Sequence, residues 1–533
     1  MNFKTLKNDL PASIVVFLVA LPLCLGISLA SGAPFFSGII SGIIGGVIIG
    51  LMSGSKLSVS GPAAGLAALV LAAITSLGDF RLFLCAVVIA GILQILMSIA
   101  KLGGIANYFP SSVIKGLLTC IGILIIAKQL PHAFGYEHNE PGNISALLPF
   151  GEEDVHVLMQ PLHHINIGVL MICLISIATM LVWDMPFIKR WAKFIPGALV
   201  AVIVSVLINE LLKASGSFLA IGADHLVSIK VASNPAEFLS FFTLPDFNGF
   251  LNSKVIITGI MIAIIASLET LLSIEAIDNI DPERNVTNTN RELFAQGIGN
   301  TIAGLVGGLP VTSVIVRSSA NINSGAKSKL SAVFHGLLLL LSVILIPTLL
   351  NKIPLASLAA ILLLVGYKLC KVSVFKDVIS NGKYQYVPFF VTVAVILSID
   401  LFGVIPAVKG EGLLIGVIAG LIAAAFAILH GNLKNSYYFH KDKHHTGDII
   451  KLHLSEEVSF LNKGSIRQTL EHLPENSTVV IDASNTKYID YDVLEIIKEF
   501  RDIKAPLKNI NCQITGFKEI YKIDNAFNVQ SSH

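Results

Sequence analysis

Read for apolar and polar positions, the chain is a series of long apolar runs with short polar breaks as far as about residue 432. A membrane-crossing helix needs roughly 20 apolar residues. On that measure the runs predict about fourteen spans. They lie near 12–30, 34–53, 61–76, 81–101, 111–131, 164–184 and 195–213, then 253–277, 290–306, 311–321, 328–350, 354–370, 385–402 and 411–430. The third and tenth are too short to cross. Each opens on glycine and proline: Gly61-Pro62-Ala63-Ala64-Gly65 in the first, Gly307-Gly308-Leu309-Pro310-Val311-Thr312-Ser313 in the second. Proline in the first turn of a helix forfeits no intrahelical hydrogen bond, and the free N–H groups there carry partial positive charge. Interrupted segments at corresponding places in two halves point to a transporter's binding site. Two such helix starts meeting inside a membrane would attract an anion.

Lysine and arginine in short loops mark the cytoplasmic side of a membrane. They precede the first span (Lys4, Lys7) and follow the fourth (Lys101), sixth (Lys189, Arg190, Lys193), eighth (Arg284, Arg291), tenth (Lys327, Lys329) and twelfth (Lys368, Lys371, Lys376). The connection after the fifth holds Glu137, Glu140, Glu152, Glu153 and Asp154 and belongs outside. Even-numbered spans therefore end inside, both termini are expected in the cytoplasm, and the second set of seven spans is inverted relative to the first. The half-helices would then start near the midplane and face each other across one cavity, the setting in which irregular backbone is tolerated at membrane depth. The apolar run after Leu10 lacks a clear cleavage site and reads as an uncleaved first helix.

After about residue 440 the pattern changes. A polar linker (His440, Lys441, Asp442, Lys443, His444, His445) leads to strand-like runs at 449–454, 478–483 and 511–515, with helical patterns at 465–473 and 493–500. Strands alternating with helices predict a small α/β domain, marginal in size on its own. The expected fold is thus an α-helical membrane protein of two inverted seven-span repeats, about 10–215 and 250–432 within a domain 1–435, followed by a cytoplasmic α/β domain at 446–533.

Composition narrows the function. Of 533 residues, 54% are hydrophobic and 14% charged, against roughly 25% charged in soluble domains, so lipid must solvate most of the chain. A net charge of +2 gives no reason to expect nucleic acid. The six cysteines (Cys24, Cys85, Cys120, Cys173, Cys370, Cys512) lack paired spacing and are expected as free thiols, with no metal site. The linker histidines sit among lysines without a second ligand group. Glycine-rich phosphate loops and catalytic triads are missing, which speaks against an enzyme or ATP-driven pump.

These features resemble the SulP family of sulfate-permease-type anion transporters, which includes solute carrier family 26. The resemblance rests on Ser60-Gly61-Pro62, on Asn290-Arg291-Glu292-Leu293 leading to Gln296-Gly297-Ile298-Gly299-Asn300, and on Leu309-Pro310 through Arg317-Ser318-Ser319. The C-terminal segment resembles the family's STAS domain. The resemblance implies a core domain and a gate domain, a homodimer, and an anion held between the third and tenth spans. Carried over residue by residue, the site comprises Ala63, Ala64, Val311, Thr312 and Ser313, with Leu23 and Cys24 of the first span. Many animal members have glutamine near Leu23, and this chain does not. The phrasing of Leu21-Pro22-Leu23-Cys24-Leu25-Gly26 and of Val316-Arg317-Ser318-Ser319-Ala320-Asn321 most resembles a bacterial branch, some of whose proteins are linked to carbonic anhydrase. That implies a bacterial inner membrane, a cytosolic carbonic anhydrase as partner, and bicarbonate ahead of sulfate.

Glu269, with Ser273 one turn on, is an intramembrane carboxylate and by default a functional candidate. The family's sodium-coupled branch has an aspartate and a hydroxyl at these places, so the pair reads as a coupling-ion site for Na+ or H+; the competing reading is a structural hydrogen bond. Arg317 is either a positive field behind the anion, a bridge to Glu269 or Glu275, or an arginine snorkelling from a helix end. Thr312 and Ser313 suit both anion contact and helix capping. Lys115, Lys128 and Asp400 read as interfacial or paired, and Glu275, Asp278 and Asp281 as a solvated helix end. In the C-terminal segment Ile489-Asp490-Tyr491-Asp492 stands where family members often carry Asp-Ser-Ser/Thr-Gly, so a packing or dimer contact is expected there instead of phosphorylation.

The expected function is secondary transport of a small inorganic anion by alternating access with ion coupling, using backbone N–H groups at Val311–Ser313 and around Ala63–Gly65. Alternatives are a proton-coupled sulfate or dicarboxylate symporter, a nucleobase transporter, an uncoupled anion channel, or a membrane scaffold that recruits a cytosolic enzyme.

Overall fold

The structure, a computed structural model, describes residues 5–135, 165–191, 195–232, 234–404, 411–432, 449–518 and 521. The expected domain boundary between 435 and 446, the linker histidines and the acidic connection at 137–154 lie outside the described residues.

Helical segments occur at all of the predicted spans. They are α1 (Leu6–Ala30), α2 (Phe35–Ile44, extended by a π turn at Gly45–Ile49), α3 (Ala64–Leu77), α4 (Phe80–Ile99), α5 (Ser111–Phe134), α6 (Ile167–Trp183) and α7 (Gly197–Ala214). After them come α8 (Ser253–Ile280), α9 (Thr289–Val306), α10 (Ile315–Asn323), α11 (Leu330–Leu345), α12 (Leu355–Leu369), α13 (Lys383–Ile396) and α14 (Gly412–Asn432). Among the described residues, 8 helical stretches are long and apolar enough to cross a membrane. Shorter apolar helices include α3, α6 and α11. The nine-residue α10 is the shortest of the set.

One expectation needs correction. Pro62 is not in the first turn of a helix. It ends a short strand, β1 (Ser60–Pro62), which pairs antiparallel with β2 (Val311–Ser313) in the register Ser60↔Ser313, Gly61↔Thr312, Pro62↔Val311. A residue before proline is pushed to extended backbone, so Gly61 and Leu309 favour strand entry, and each helix starts only beyond its strand. Because the strands are antiparallel, α3 and α10 leave the junction in opposite directions, as inverted repeats require.

Chain contacts divide the molecule into two units. In the first (Met1–Ala106, Leu118–Lys371, Val395–Ile415), α4, α8 and α9 pack together, α1 packs with α2 and α11, and α6, α7 and α12 form another group that α1 also touches. The α4–α9 contact is close at glycine: a Cβ on Gly91 would lie 2.4 Å from Thr301 N, and one on Gly297 2.8 Å from Gly91 O. Small residues of this kind let helix backbones approach inside a membrane.

The second unit (Asn107–Leu117, Val372–Ala394, Gly416–His533) holds the α/β domain. Its parallel sheet has the order β3 (Ile449–His453), β5 (Thr478–Asp482), β7 (Asn511–Thr515). Glu457–Val458 (β4) pairs with Tyr488–Ile489 (β6). Helices α15 (Lys463–Glu471) and α16 (Tyr491–Glu499) supply Ile466, Leu470, Val493 and Ile497 to a core with Val479, Ile481 and Ile514. The parallel strands need crossovers, and the helices between them provide these.

Candidate functional site

The junction of β1 and β2 is fixed from outside by buried side chains. Val314 N–H donates to Val59 O at 3.1 Å. Antiparallel pairing alternates bonded and non-bonded pairs, so the N–H groups of Val311 and Ser313 point to the outer edge. Asn300 Oδ1 accepts the first at 2.6 Å, and Thr270 Oγ1 accepts the second at 3.4 Å. The expectation that these two N–H groups serve an anion is therefore corrected, since each already has an acceptor. The N–H groups that remain are those opening α3 and α10. Neither helix has a side-chain cap: Ala63 and Val314 occupy the capping positions, and neither has a polar side chain.

Polar residues on one face of α9 hold the junction. Glu292, Gln296 and Asn300 recur every four residues and are fully buried. Glu292 accepts from Gly54 N at 3.0 Å and from Gln296 Nε2 at 3.0 Å; Gln296 Nε2 also reaches Ser60 Oγ at 2.8 Å. Asn300 Nδ2 donates to Val311 O at 3.0 Å and to Gln94 Oε1 at 2.7 Å. The roles of Gln94, Thr270 and Ser58 were missed in the sequence. Their signal, single polar residues inside apolar runs, does not say which strand they meet.

Arg317, in the first turn of α10, is fully buried. Its Nη2 lies 3.4 Å from Cys24 Sγ and 3.4 Å from Pro62 O. A Cβ on Gly61 would overlap Nη1, so any side chain there has to displace the guanidinium. Among the described residues Arg317 makes no ion pair, and its Nε and Nη1 have no hydrogen-bond partner. Both the bridge to Glu269 or Glu275 and the snorkelling arginine are thereby set aside: the charge sits at the strand junction, without a carboxylate. An unpaired buried charge is costly.

Of the expected site residues, Cys24, Ala63, Val311, Thr312 and Ser313 are buried and Ala64 half-buried; Leu23 is buried beside Cys24. The strand pairing and the Arg317 contacts bring Cys24, Val311, Thr312 and Ser313 to one junction, with Ala63 and Ala64 following β1 directly. Ser313 Oγ shares a hydrogen bond with Ser58 Oγ at 2.7 Å. Thr312 Oγ1 has only a long contact to Ser313 O, 3.4 Å. Glu269 reaches the start of the other half-helix: a Cβ on Gly65 would lie 2.5 Å from Glu269 Oε1, and Oε2 is buried without a partner among the described residues. Ser273 is buried one turn further along α8.

Other charged residues are occupied elsewhere. Lys115 pairs with Asp377 at 2.8 Å, and Asp400 accepts Gly412 N at 3.0 Å. Asp278 and Asp281 are not a solvated helix end. They tie the following loop, through Thr287 N at 2.7 Å and Asn285 Nδ2 at 2.7 Å. Asp9, unremarked in the sequence, accepts from Lys327 N at 2.8 Å and Ser328 N at 3.0 Å, joining α1 to the loop before α11.

The chain is 28% identical over 430 residues to YvdB of Bacillus subtilis (strain 168), a protein named for sulfate transport, covering 79% of this chain and 73% of that one. The transmembrane domain of the bicarbonate transporter BicA from a cyanobacterium aligns with a TM-score of 0.62 at 26% identity, over 80% of this chain and 98% of that one. The structure of SLC26A9 aligns with a TM-score of 0.64 at 15% identity, over 98% of this chain and 86% of that one, a likeness of fold. Residues 6–392 match the sulfate permease family, and the chain belongs to that family of multi-pass membrane transporters.

Proposed function

We propose that the chain is a secondary transporter of a small inorganic anion, bicarbonate first and sulfate second, working by alternating access with ion coupling. The observation that carries this reading is Arg317: a fully buried guanidinium, with Nε and Nη1 unpartnered among the described residues, beside two half-helices that start without caps. Helix N-termini favour anions, and the guanidinium adds a charge and directed donors. In this reading Cys24, Ala63, Ala64, Val311, Thr312 and Ser313 line the anion, and the backbone N–H donors come from the first turns of α3 and α10 in place of Val311 and Ser313. Glu269 and Ser273 hold the coupling ion, Na+ or H+, and Arg317 supplies the field. The C-terminal α/β domain acts as a STAS domain, the protein is a homodimer of the bacterial inner membrane with both termini inside, and a cytosolic carbonic anhydrase is its functional neighbour. The likeness to BicA favours bicarbonate; the family and YvdB keep sulfate in second place.

Uptake of radiolabelled bicarbonate and sulfate into proteoliposomes, with and without a sodium gradient, tests this. Sodium-stimulated bicarbonate uptake supports the reading. Sulfate uptake that follows a proton gradient instead replaces the substrate and ion, and gradient-independent current makes the protein a channel.

A further inference from the structure

Three consecutive residues of the α/β domain, Asp490, Tyr491 and Asp492, each touch the end of a membrane helix. The fifth span, α5, begins at Ser111, and the preceding Pro110 accepts the N–H groups of Val113 and Ile114 at 3.1 and 3.3 Å. Proline has no side-chain oxygen with which to cap the helix. Asp492 supplies the missing acceptor from the α/β domain: its Oδ2 receives the Ser111 N–H at 3.2 Å. A carboxylate at a helix N-terminus satisfies a free donor and opposes the helix dipole. Beside it, Lys115 Nζ stands 4.7 Å from the centre of the Tyr491 ring, a favourable cation–ring distance. Asp490 Oδ2 accepts Gln385 Nε2, from the first turn of α13, at 2.9 Å, while its Oδ1 accepts Asp492 N at 2.9 Å. The Tyr384 and Tyr488 rings meet at 5.2 Å.

We propose that Asp490-Tyr491-Asp492 is a docking turn that fastens the α/β domain to the starts of α5 and α13, with Asp492 as the cap of α5, and that ionisation of Asp490 loosens it. Both carboxylates are almost wholly buried, at 4% and 3% exposed, and among the described residues they share one nearby cation, Lys463, whose Nζ is 3.9 Å from Asp492 Oδ2. Among the described residues, the other titratable groups around Asp490 are Tyr384, Tyr488, Tyr521 and Glu457; Asp377 pairs with Lys115. None adds a positive charge at Asp490. Burial first, and then the Asp492 charge, push the Asp490 carboxyl up to about 7. A small open-sided cavity of about 30 Å³, lined by Ser112, Gln385, Glu457 and Asp490, lies against it. Undocked and solvated, Asp490 returns to the ordinary carboxylate range, about 4. The docked form therefore binds a proton that the free form releases between about pH 4 and 7. Docking is favoured by acid and weakened as pH rises through 7.

Hydrogen exchange of the full chain in lipid nanodiscs at pH 6 and pH 8, corrected for intrinsic rates, tests this in peptides covering 109–117 and 486–495. Protection of both segments should fall about tenfold from pH 6 to pH 8. Asp490→Asn should keep them protected at both values, removing the pH dependence, and Asp492→Ala should expose both at either pH. Unchanged protection in Asp492→Ala, or a pH dependence that survives in Asp490→Asn, overturns the proposal. If Asp492→Ala does not fold, the Asp490→Asn comparison decides alone.

Discussion

Asn300 holds Val311 by both backbone groups, donating from Nδ2 to Val311 O at 3.0 Å and accepting Val311 N–H on Oδ1 at 2.6 Å. One side chain thus completes the open edge of β2 and anchors it to α9, which carries Glu292 and Gln296 on the same face. Asn300→Ala leaves a buried donor and a buried acceptor unpaired, a loss of about 2–4 kcal/mol. The expected result is a lower melting temperature in detergent together with loss of uptake. Asn300→Asp keeps the acceptor for Val311 N–H but sets a carboxylate against Val311 O, and should be no better. A variant that melts and transports like the wild type would mean that β2 is held by other means.

Gly61 and Arg317 occupy one space. A methyl group on Gly61 would meet Nη1 at 1.9 Å, so Gly61→Ala must displace the guanidinium from the junction. Uptake should be lost while the amount of folded protein in the membrane stays near normal. Arg317→Lys keeps the charge but removes the planar fork of donors, and should raise the KM for the anion about tenfold or more, roughly 1.4 kcal/mol. Equal KM in the lysine variant would show that only the charge matters there.

The spans and half-helices were legible because the bilayer fixes a length and because Gly-Pro interruptions stand out inside apolar runs. The α/β elements were legible for a similar reason: alternation at 449–454, a buried apolar run at 478–483 and a strand-like run at 511–515 gave β3, β5 and β7 within a residue or so. The strand pairing was not. Ser60 and Ser313 are 253 positions apart, and a three-residue strand has no period to read. Nor did sequence show that Arg317 would face Gly61 and Cys24, since a charge near a helix end fits snorkelling equally well. The Glu292, Gln296, Asn300 face was readable in principle, as polar residues at every fourth position of a membrane helix. The strand edge that Asn300 holds was not. His335 left no signal beyond one polar residue in an apolar run, though it is fully buried in α11 with Nδ1 3.2 Å from Ala332 O.

Thr312 and Ser313 differ in how far they are committed. Ser313 Oγ is engaged with Ser58 Oγ at 2.7 Å, whereas the Thr312 hydroxyl makes only a 3.4 Å contact. Ser313→Ala should cost about 1 kcal/mol of stability with a modest change in uptake. Thr312→Val, of similar shape, should leave stability near the wild type and raise the KM for the anion. Thr312→Trp should abolish uptake by filling the junction. Normal uptake in the tryptophan variant would remove Thr312 from the site.

Glu269 packs against Gly65 in the first turn of α3, with Oε2 buried and unpartnered among the described residues. A carboxylate in that position either carries the coupling ion or holds the half-helix. The two roles separate by substitution, because Glu269→Gln keeps the shape and removes the charge. If the residue binds Na+ or H+, the glutamine variant should still bind the anion and exchange it across the membrane, but it should no longer accumulate it against a gradient. Anion–anion exchange and gradient-driven uptake, measured in the same proteoliposomes, tell these apart. Loss of both with a lowered melting temperature would make Glu269 a structural group at the α3 start. Gradient-driven uptake that survives the change would place the coupling ion elsewhere. Gly65→Ala is the companion test, since its methyl group would press on Oε1 at 2.5 Å. It should reproduce the coupling defect without altering any charge.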